Sequence, residues 1–429
     1  MRAGDPAAWF ADVAAARRRC FWLDGGGSRD WSGRRSIVGT LTDDDVSLTY
    51  DAARREVRRH VGGASEVVGD DLFAALEAEV AAGPPDGQWF GYAGYACRPD
   101  LPALVAPAAG PEDDRVPDAV WMRPSSVRMF EHPVGVPGAP PGGPRLTDEP
   151  VPGWYADAFA EVQEQLRAGN TYEVNLTHRL DVASGVDPAA AYLRLRATNP
   201  APYAGFLQHD VEGHRAWLLS SSPERYATVR RGEHGGRVLE TKPIKGTAPR
   251  GATPADDEAA RAFLLSDVKT RAENLMIVDL LRNDLATVCR PGTVQVPALM
   301  QVETYAGVHQ LVSTVRGELD EGITTVAALR ALFPAGSMTG APKRRTMEVV
   351  AAVERTPRGV YSGAFGWVSA DGRADLGVVI RAAVTAGDGR WQVGTGGGIT
   401  VRSEVAAEWA ETRWKAARVL AALADPSPL

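Results

Sequence analysis

Apolar residues recur along this chain with two periods, one near two residues and one near four. Runs at residues 19–23 and 89–95 read as strands, while the amphipathic segment 71–81 reads as a helix. Helical spacing covers 155–168 and stops at Gly169, a residue suited to a helix C-terminus. A strand pattern follows at 172–180. Three more strand patterns, 360–369, 376–386 and 391–399, are joined through Asp371-Gly372 and Asp388-Gly389, and Asp-Gly between such runs signals a hairpin. Helical patterns at 344–354 and 403–423 complete the set. Strands mixed with covering helices predict an α+β fold, a large sandwich of antiparallel sheets with helices on the outside.

Pro and Gly punctuate residues 134–153, VGVPGAPPGGPRLTDEPVPG, without any apolar period. This predicts a linker between an N-terminal part, 1–133, and a C-terminal region, 154–425. With 429 residues the chain has ample core for one large fold or two joined lobes. Cys20, Cys97 and Cys289 show no metal or redox spacing and read as buried thiols in a reducing compartment. Forty-seven basic against 54 acidic side chains leave a net charge of −7, which argues against nucleic acid as a partner. The opening residues lack the order of a signal peptide, and no run of about eighteen apolar residues follows. A soluble, cytoplasmic chain with no membrane partner is the expectation.

Several polar residues interrupt these patterns. In EVAAEWAETRWKAARVL, Glu408, Glu411 and Lys415 share one helical face, either as a solvated stripe or as part of a site. Glu273 stands at the mouth of a second, largely apolar helix. Carboxylates on two helices, with no His or Cys cluster, suit a hard cation, hence Mg2+ rather than zinc. Arg381 breaks the apolar run LGVVIRAAV, and a buried guanidinium needs an acceptor. Beside it, Gly394 to Gly398 reads as a turn exposing backbone N–H groups to an anion. Residues 336–343 do not satisfy the phosphate-loop pattern, so a nucleotide site is rejected in favour of a pocket wall. Lys245 falls in a turn bracketed by Pro and Gly, where a lysine usually faces solvent. To act as a nucleophile it would need desolvation or neighbouring cations.

Together the segments SSPERY (221–226), PIKGTAPRG (243–251), AENLMIVDLLRNDL (272–285), VHQLVS (308–313), FPAGSMTGAPK (333–343), RGVYSGAFG (358–366), IRAAV (380–384), GGGI (396–399) and EWAET (408–412) carry a resemblance. In this order they resemble the chorismate-utilising family that includes the first components of anthranilate synthase and aminodeoxychorismate synthase. The resemblance covers nearly the whole chain and implies that fold. Anthranilate synthases resemble PIAGT and aminodeoxychorismate synthases PIKGT; here the variable position is Lys245. By resemblance Glu273, Glu408 and Glu411 are metal ligands. Gly246, Thr247, Tyr361, Arg381, Gly396, Gly397, Gly398 and Lys415 fall on substrate-binding positions. Lys245, Glu224 and a ring-facing His309 fall on catalytic ones.

The implied reaction is Mg2+-dependent amination of chorismate at C4, with Lys245 attacking C2 and Glu224 as general acid. Ammonia is expected from a separate glutamine amidotransferase subunit, since no cysteine here sits in a Gly-x-Cys-x-Gly setting. Anthranilate or 2-amino-2-deoxyisochorismate synthesis, and a catalytically dead chorismate- or tryptophan-binding regulatory subunit, are the alternatives. The sequence departs from the family at Glu173, where many relatives carry Gln and isochorismate-forming ones Lys. It also lacks Asp-Ser-Asp-Pro character before Glu408. Pro202-Tyr203-Ala204 beside a strand containing Trp22 leaves an amino-acid pocket open, although both aromatics read more simply as core.

Overall fold

The computed structural model describes residues 2–3, 6–25, 35–107, 115–132, 149–233, 235–305 and 307–424. Of the expected linker, 134–148 lies outside the described residues, and Gly153 already opens the helix Gly153–Arg167. Two sheets, of ten and twelve strands among the described residues, form an α+β sandwich. Their pairings are antiparallel apart from Arg2–Ala3 with Ser126–Glu131. Strands from either side of residues 134–148 share both sheets: Phe21 registers with Leu207 in one, and Gly91 with Gly366 in the other.

Alternation explains the layers. Phe21 of one sheet stacks on Phe90 of the other, 4.1 Å between centroids, within a core that also holds Val120, Leu207 and Phe365. On the outer face of the ten-stranded sheet, helices Ala7–Ala16, Pro188–Thr198 and Val405–Leu423 bury Phe10, Tyr192 and Val419. Helices Leu72–Ala82, Val268–Ala286 and Thr325–Leu332 cover the twelve-stranded sheet through Leu76, Ile277 and Leu329. None of the described helices is long and apolar enough to cross a membrane.

Most expected elements are present within a few residues. The strand expected at 89–95 runs Gln88–Ala93, the helix at 71–81 is Leu72–Ala82 capped by Asp71, and the last helix starts at Val405. Both Asp-Gly hairpins form: Ala364–Ser369 pairs with Ala374–Val378, and Ala382–Thr385 with Arg390–Ile399. Two expectations are corrected. Residues 360–363 are a turn, closed by Tyr361 N–H donating to the Arg358 carbonyl and Gly363 N–H to the Val360 carbonyl, with Ser362 at φ +67°. The run 376–386 is two strands, Ala374–Val378 in the twelve-stranded sheet and Ala382–Thr385 in the ten-stranded one. The chain crosses between sheets at residues 379–381, where Arg381 has φ +52°. Apart from Arg381 the segment passing through the centre is apolar on both sides of the crossing, so its periodicity conceals it.

Candidate active site

A cavity of about 450 Å³ lies where strands Ile244–Pro249 and Arg390–Ile399 meet helices Val268–Ala286 and Val405–Leu423. Lys245 lies in that first strand, not in a solvent-facing turn, and its side chain is 11% exposed. Against Val308–Glu318 the pairing slips between Ile244 and Thr247, around Gly246 at φ +86°. Such a bulge re-aims side chains, and here Lys245, Gly246 and Thr247 all line the cavity. The Lys245 ammonium is ion-paired with Glu173 Oε1. Burial opposes its charge, but Glu173, Glu273 and Glu224 outweigh burial and hold Lys245 above the usual lysine range. The surroundings expected to make its amine neutral are therefore only half met: the lysine is desolvated, but its neighbours are anions.

Glu224 follows the strand Ala216–Ser222 and faces the same cavity. Its Oε1 accepts a 2.6 Å hydrogen bond from the Ser337 hydroxyl, contributed by the Gly-rich segment expected as a wall. Burial pushes the Glu224 carboxyl up to about 7, more than Ser337 and Lys245 pull it down. Near neutrality this group can therefore give or take a proton.

Three further carboxylates, Glu273, Glu408 and Glu411, line the same cavity. Glu273 is inside the helix Val268–Ala286, one turn and more from its start, rather than at its mouth. Glu408, Glu411 and Lys415 all line the cavity, with Glu408 2% exposed and half of the Glu411 side chain open to solvent. Lys269 reaches across, 2.8 Å from Glu408 Oε1 and 3.8 Å from Glu273 Oε1, and Ser403 donates to Glu408 at 2.6 Å. Burial raises Glu273 to about 7, and its buried Oε1 has no hydrogen-bond partner. No ready cluster of three or more metal-ligating side chains occurs among the described residues. An all-oxygen donor set with an orphaned carboxylate oxygen, in a cavity open to a ligand, nonetheless fits a hard cation completed by water and an anionic ligand.

Between these walls lie the residues suited to hold an anion. Arg381 lines the cavity with its guanidinium 5.0 Å from the Trp414 ring, and no carboxylate lies within 4 Å of it among the described residues. Burial brings it down to about 10, so a ligand carboxylate would relieve a real desolvation penalty. Tyr361 stands beside it under the Arg179 guanidinium. The glycines 394–398 are not a turn: they continue the strand and register with 179–175 of Glu173–Ala183. Beyond Val393 their other edge pairs with no strand among the described residues and is turned toward the last helix. There Lys415 donates to the Gly396 carbonyl at 2.9 Å and to Glu411 at 2.8 Å.

Not every expected residue arrives. His309 does not line the cavity; it is buried with Nε2 2.9 Å from Asp257 and Nδ1 3.0 Å from Thr304, while its neighbour Gln310 does face inward. Gly397 lies just behind the lining, under Glu408 Oε2. Lys269 and Trp414 were not anticipated, although Lys269 is four residues before Glu273 on the same helix face. Glu173 was noticed only as a departure from the family, and nothing local announced that it would pair with Lys245. Trp22 is fully buried core, and the Tyr203 hydroxyl is bonded to Asp375 at 2.9 Å.

The family model for chorismate binding enzymes matches residues 137–421. The chain is 39% identical to an aminodeoxychorismate synthase of Streptomyces pristinaespiralis over 97% of its own length and 63% of that protein's. A second, from Streptomyces griseus, is 46% identical over 74% of this chain and 43% of its own. The chain thus spans less than two thirds of these curated relatives. Its fold is similar to anthranilate synthase component I from Streptococcus pneumoniae, with TM-score 0.72 and 24% identity, covering 90% of this chain and 92% of that one. With a family match across two thirds of its length, the chain belongs to the chorismate binding enzymes.

Proposed function

We propose that this chain aminates chorismate at C4, giving 4-amino-4-deoxychorismate, with ammonia delivered from glutamine by a glutaminase partner. The observation that carries the reading is Lys245, buried in the cavity within the PIKGT segment and accompanied by a carboxyl group, Glu224, raised to about 7. Relatives named aminodeoxychorismate synthase support it.

Arg381 and Lys415 would bind the two carboxylates of chorismate, and Tyr361 would orient the ring side chain. Glu273, Glu408 and Glu411 would hold a magnesium ion, which when bound supplies positive charge opposite a substrate carboxylate. Lys245 Nζ attacks C2, the two ring double bonds each shift one position, and the C4–O bond breaks. Glu224 protonates the departing hydroxyl, which leaves as water. Ammonia then adds at C4, the double bonds return and the C2–Nζ bond breaks. Glu224, now a carboxylate, takes the surplus proton from the new amine.

The test is to incubate the chain with chorismate, magnesium and ammonium and identify the product by mass and NMR. 4-Amino-4-deoxychorismate is the expected product. Anthranilate or 2-amino-2-deoxyisochorismate would replace this reading with amination at C2, and binding without turnover would indicate a regulatory subunit.

A further inference from the structure

The pairing of Lys245 with Glu173 leaves a chemical problem that the residues themselves solve. An ammonium has no lone pair, so Nζ must lose a proton before it can bond to carbon. The pair is largely buried, with side chains 11% and 1% exposed, and Glu173 Oε1 is the carboxylate oxygen already in contact with Nζ. Each nearby carboxylate on the surrounding elements has another task. Glu224, after the strand Ala216–Ser222, accepts from Ser337 and serves as the acid. Glu273 and Glu408 face Lys269 from their two helices, and Glu411 is paired with Lys415. Glu173, on the strand Glu173–Ala183, has Lys245 as its sole cationic neighbour within 4 Å among the described residues. Its second oxygen, Oε2, is buried and accepts no hydrogen bond.

We infer that Glu173 is the proton acceptor of Lys245, converting the resting ion pair into a carboxylic acid beside a free amine as the nucleophile is used. The inference rests on the C4-amination reading. A neutral pair is favoured over an ion pair once substrate fills the cavity and lowers the local dielectric, because the unpartnered Oε2 no longer carries charge. One Nζ–H proton passes to Glu173 Oε1, and the freed lone pair forms the Nζ–C2 bond while the C4–O pair leaves with the Glu224 proton. In the second half, breaking C2–Nζ returns the electron pair to nitrogen, and Glu173 gives its proton back. Enzyme charges are restored at the end of each cycle.

The experiment compares wild type with Glu173→Gln, Glu173→Asp and Lys245→Ala. Three quantities are measured: chorismate affinity, the rate of adduct formation by rapid-quench intact mass without ammonia, and turnover with ammonium from pH 6 to 9.5. Glu173→Gln is expected to bind chorismate within about threefold of wild type, to form adduct on the order of 10²-fold more slowly at pH 7, and to narrow that deficit relative to wild type as pH rises. Glu173→Asp, which keeps a carboxylate, should be slower while retaining the wild-type pH profile, and it decides the matter if the Gln variant does not fold. Wild-type adduct rate and pH profile in Glu173→Gln, or an alkaline-shifted profile in Glu173→Asp, would overturn the inference while an inactive Lys245→Ala left the lysine mechanism standing. Wild-type turnover in Lys245→Ala would remove both.

Discussion

Gly398 lies directly against the Glu173 carboxylate: a Cβ added at Gly398 would lie 2.4 Å from Glu173 Oε1 and 3.2 Å from Lys245 Nζ. The glycine is what lets the ion pair rest on the backbone of the neighbouring strand. Its φ lies outside the left-handed region, so alanine is tolerated by the chain and excluded only by the carboxylate. Gly398→Ala is expected to keep its melting temperature within a few degrees and to lose on the order of 10²-fold in kcat, the usual consequence of moving a reacting group by about 1 Å. Thermal melts beside steady-state kinetics check this; unchanged kcat would mean that the pair moves without consequence.

Lys245→Ala should lower 4-amino-4-deoxychorismate formation by about 10³-fold or more, because it removes the nucleophile rather than an adjustment to it. The product mixture should be analysed for C2-aminated species, since the emptied position leaves C2 open to ammonia. Activity near wild type would refute a covalent lysyl step.

Glu224, held up to about 7 by burial, acts as an acid only while protonated. Turnover should therefore be present below pH 7 and decline as pH rises through it. Glu224→Gln should abolish that limb along with about 10²- to 10⁴-fold of the rate. A wild-type profile flat from pH 6 to 9 would assign the leaving-group proton elsewhere.

Glu273→Gln should weaken magnesium binding measured by calorimetry in the presence of chorismate, and should abolish turnover along with its dependence on added metal. The orphaned Glu273 Oε1 is the oxygen that would gain most from a cation, so this variant is more sensitive than Glu411→Gln, whose carboxylate already has Lys415. Identical magnesium isotherms for wild type and Glu273→Gln would place the ion elsewhere.

Away from the site, His60 and His209 are buried between the sheets, 5.6 Å apart, and bonded to Thr49 and Ser47. Burial lowers both, His209 to about 3 from an ordinary value of 6.5. Since the unfolded chain takes up protons first, their contribution is complete above about pH 6.5 and is lost as pH falls toward 3. Roughly 2 kcal/mol per histidine should disappear between about pH 6.5 and pH 5. Urea midpoints at the two pH values would measure it; equal midpoints would show that the cluster is hydrated.

Legibility varied with the range of the cause. The Asp-Gly hairpins and the Asp71 cap depend on neighbours along the chain, and local pattern was enough for them. Glu408, Glu411 and Lys415 were legible as one face but not as a cavity wall, because helical spacing does not say which side meets a sheet. Arg381 was recognised as anomalous, yet the crossover that places it between sheets left no periodic trace. His309 lay in a matching segment, and only the neighbouring helix's Asp257 revealed that its ring is held out of the cavity.

By itself the sequence determined the elements, the segment order that marks the family, and the residue types available to the site. Tertiary structure decided their electrical state. Lys245 entered as a loop lysine and emerged as a buried ammonium held by Glu173, 72 positions away along the chain. That distinction follows from long-range pairing of strands, because the charge of a buried lysine depends on which carboxylates surround it, and no local pattern records them.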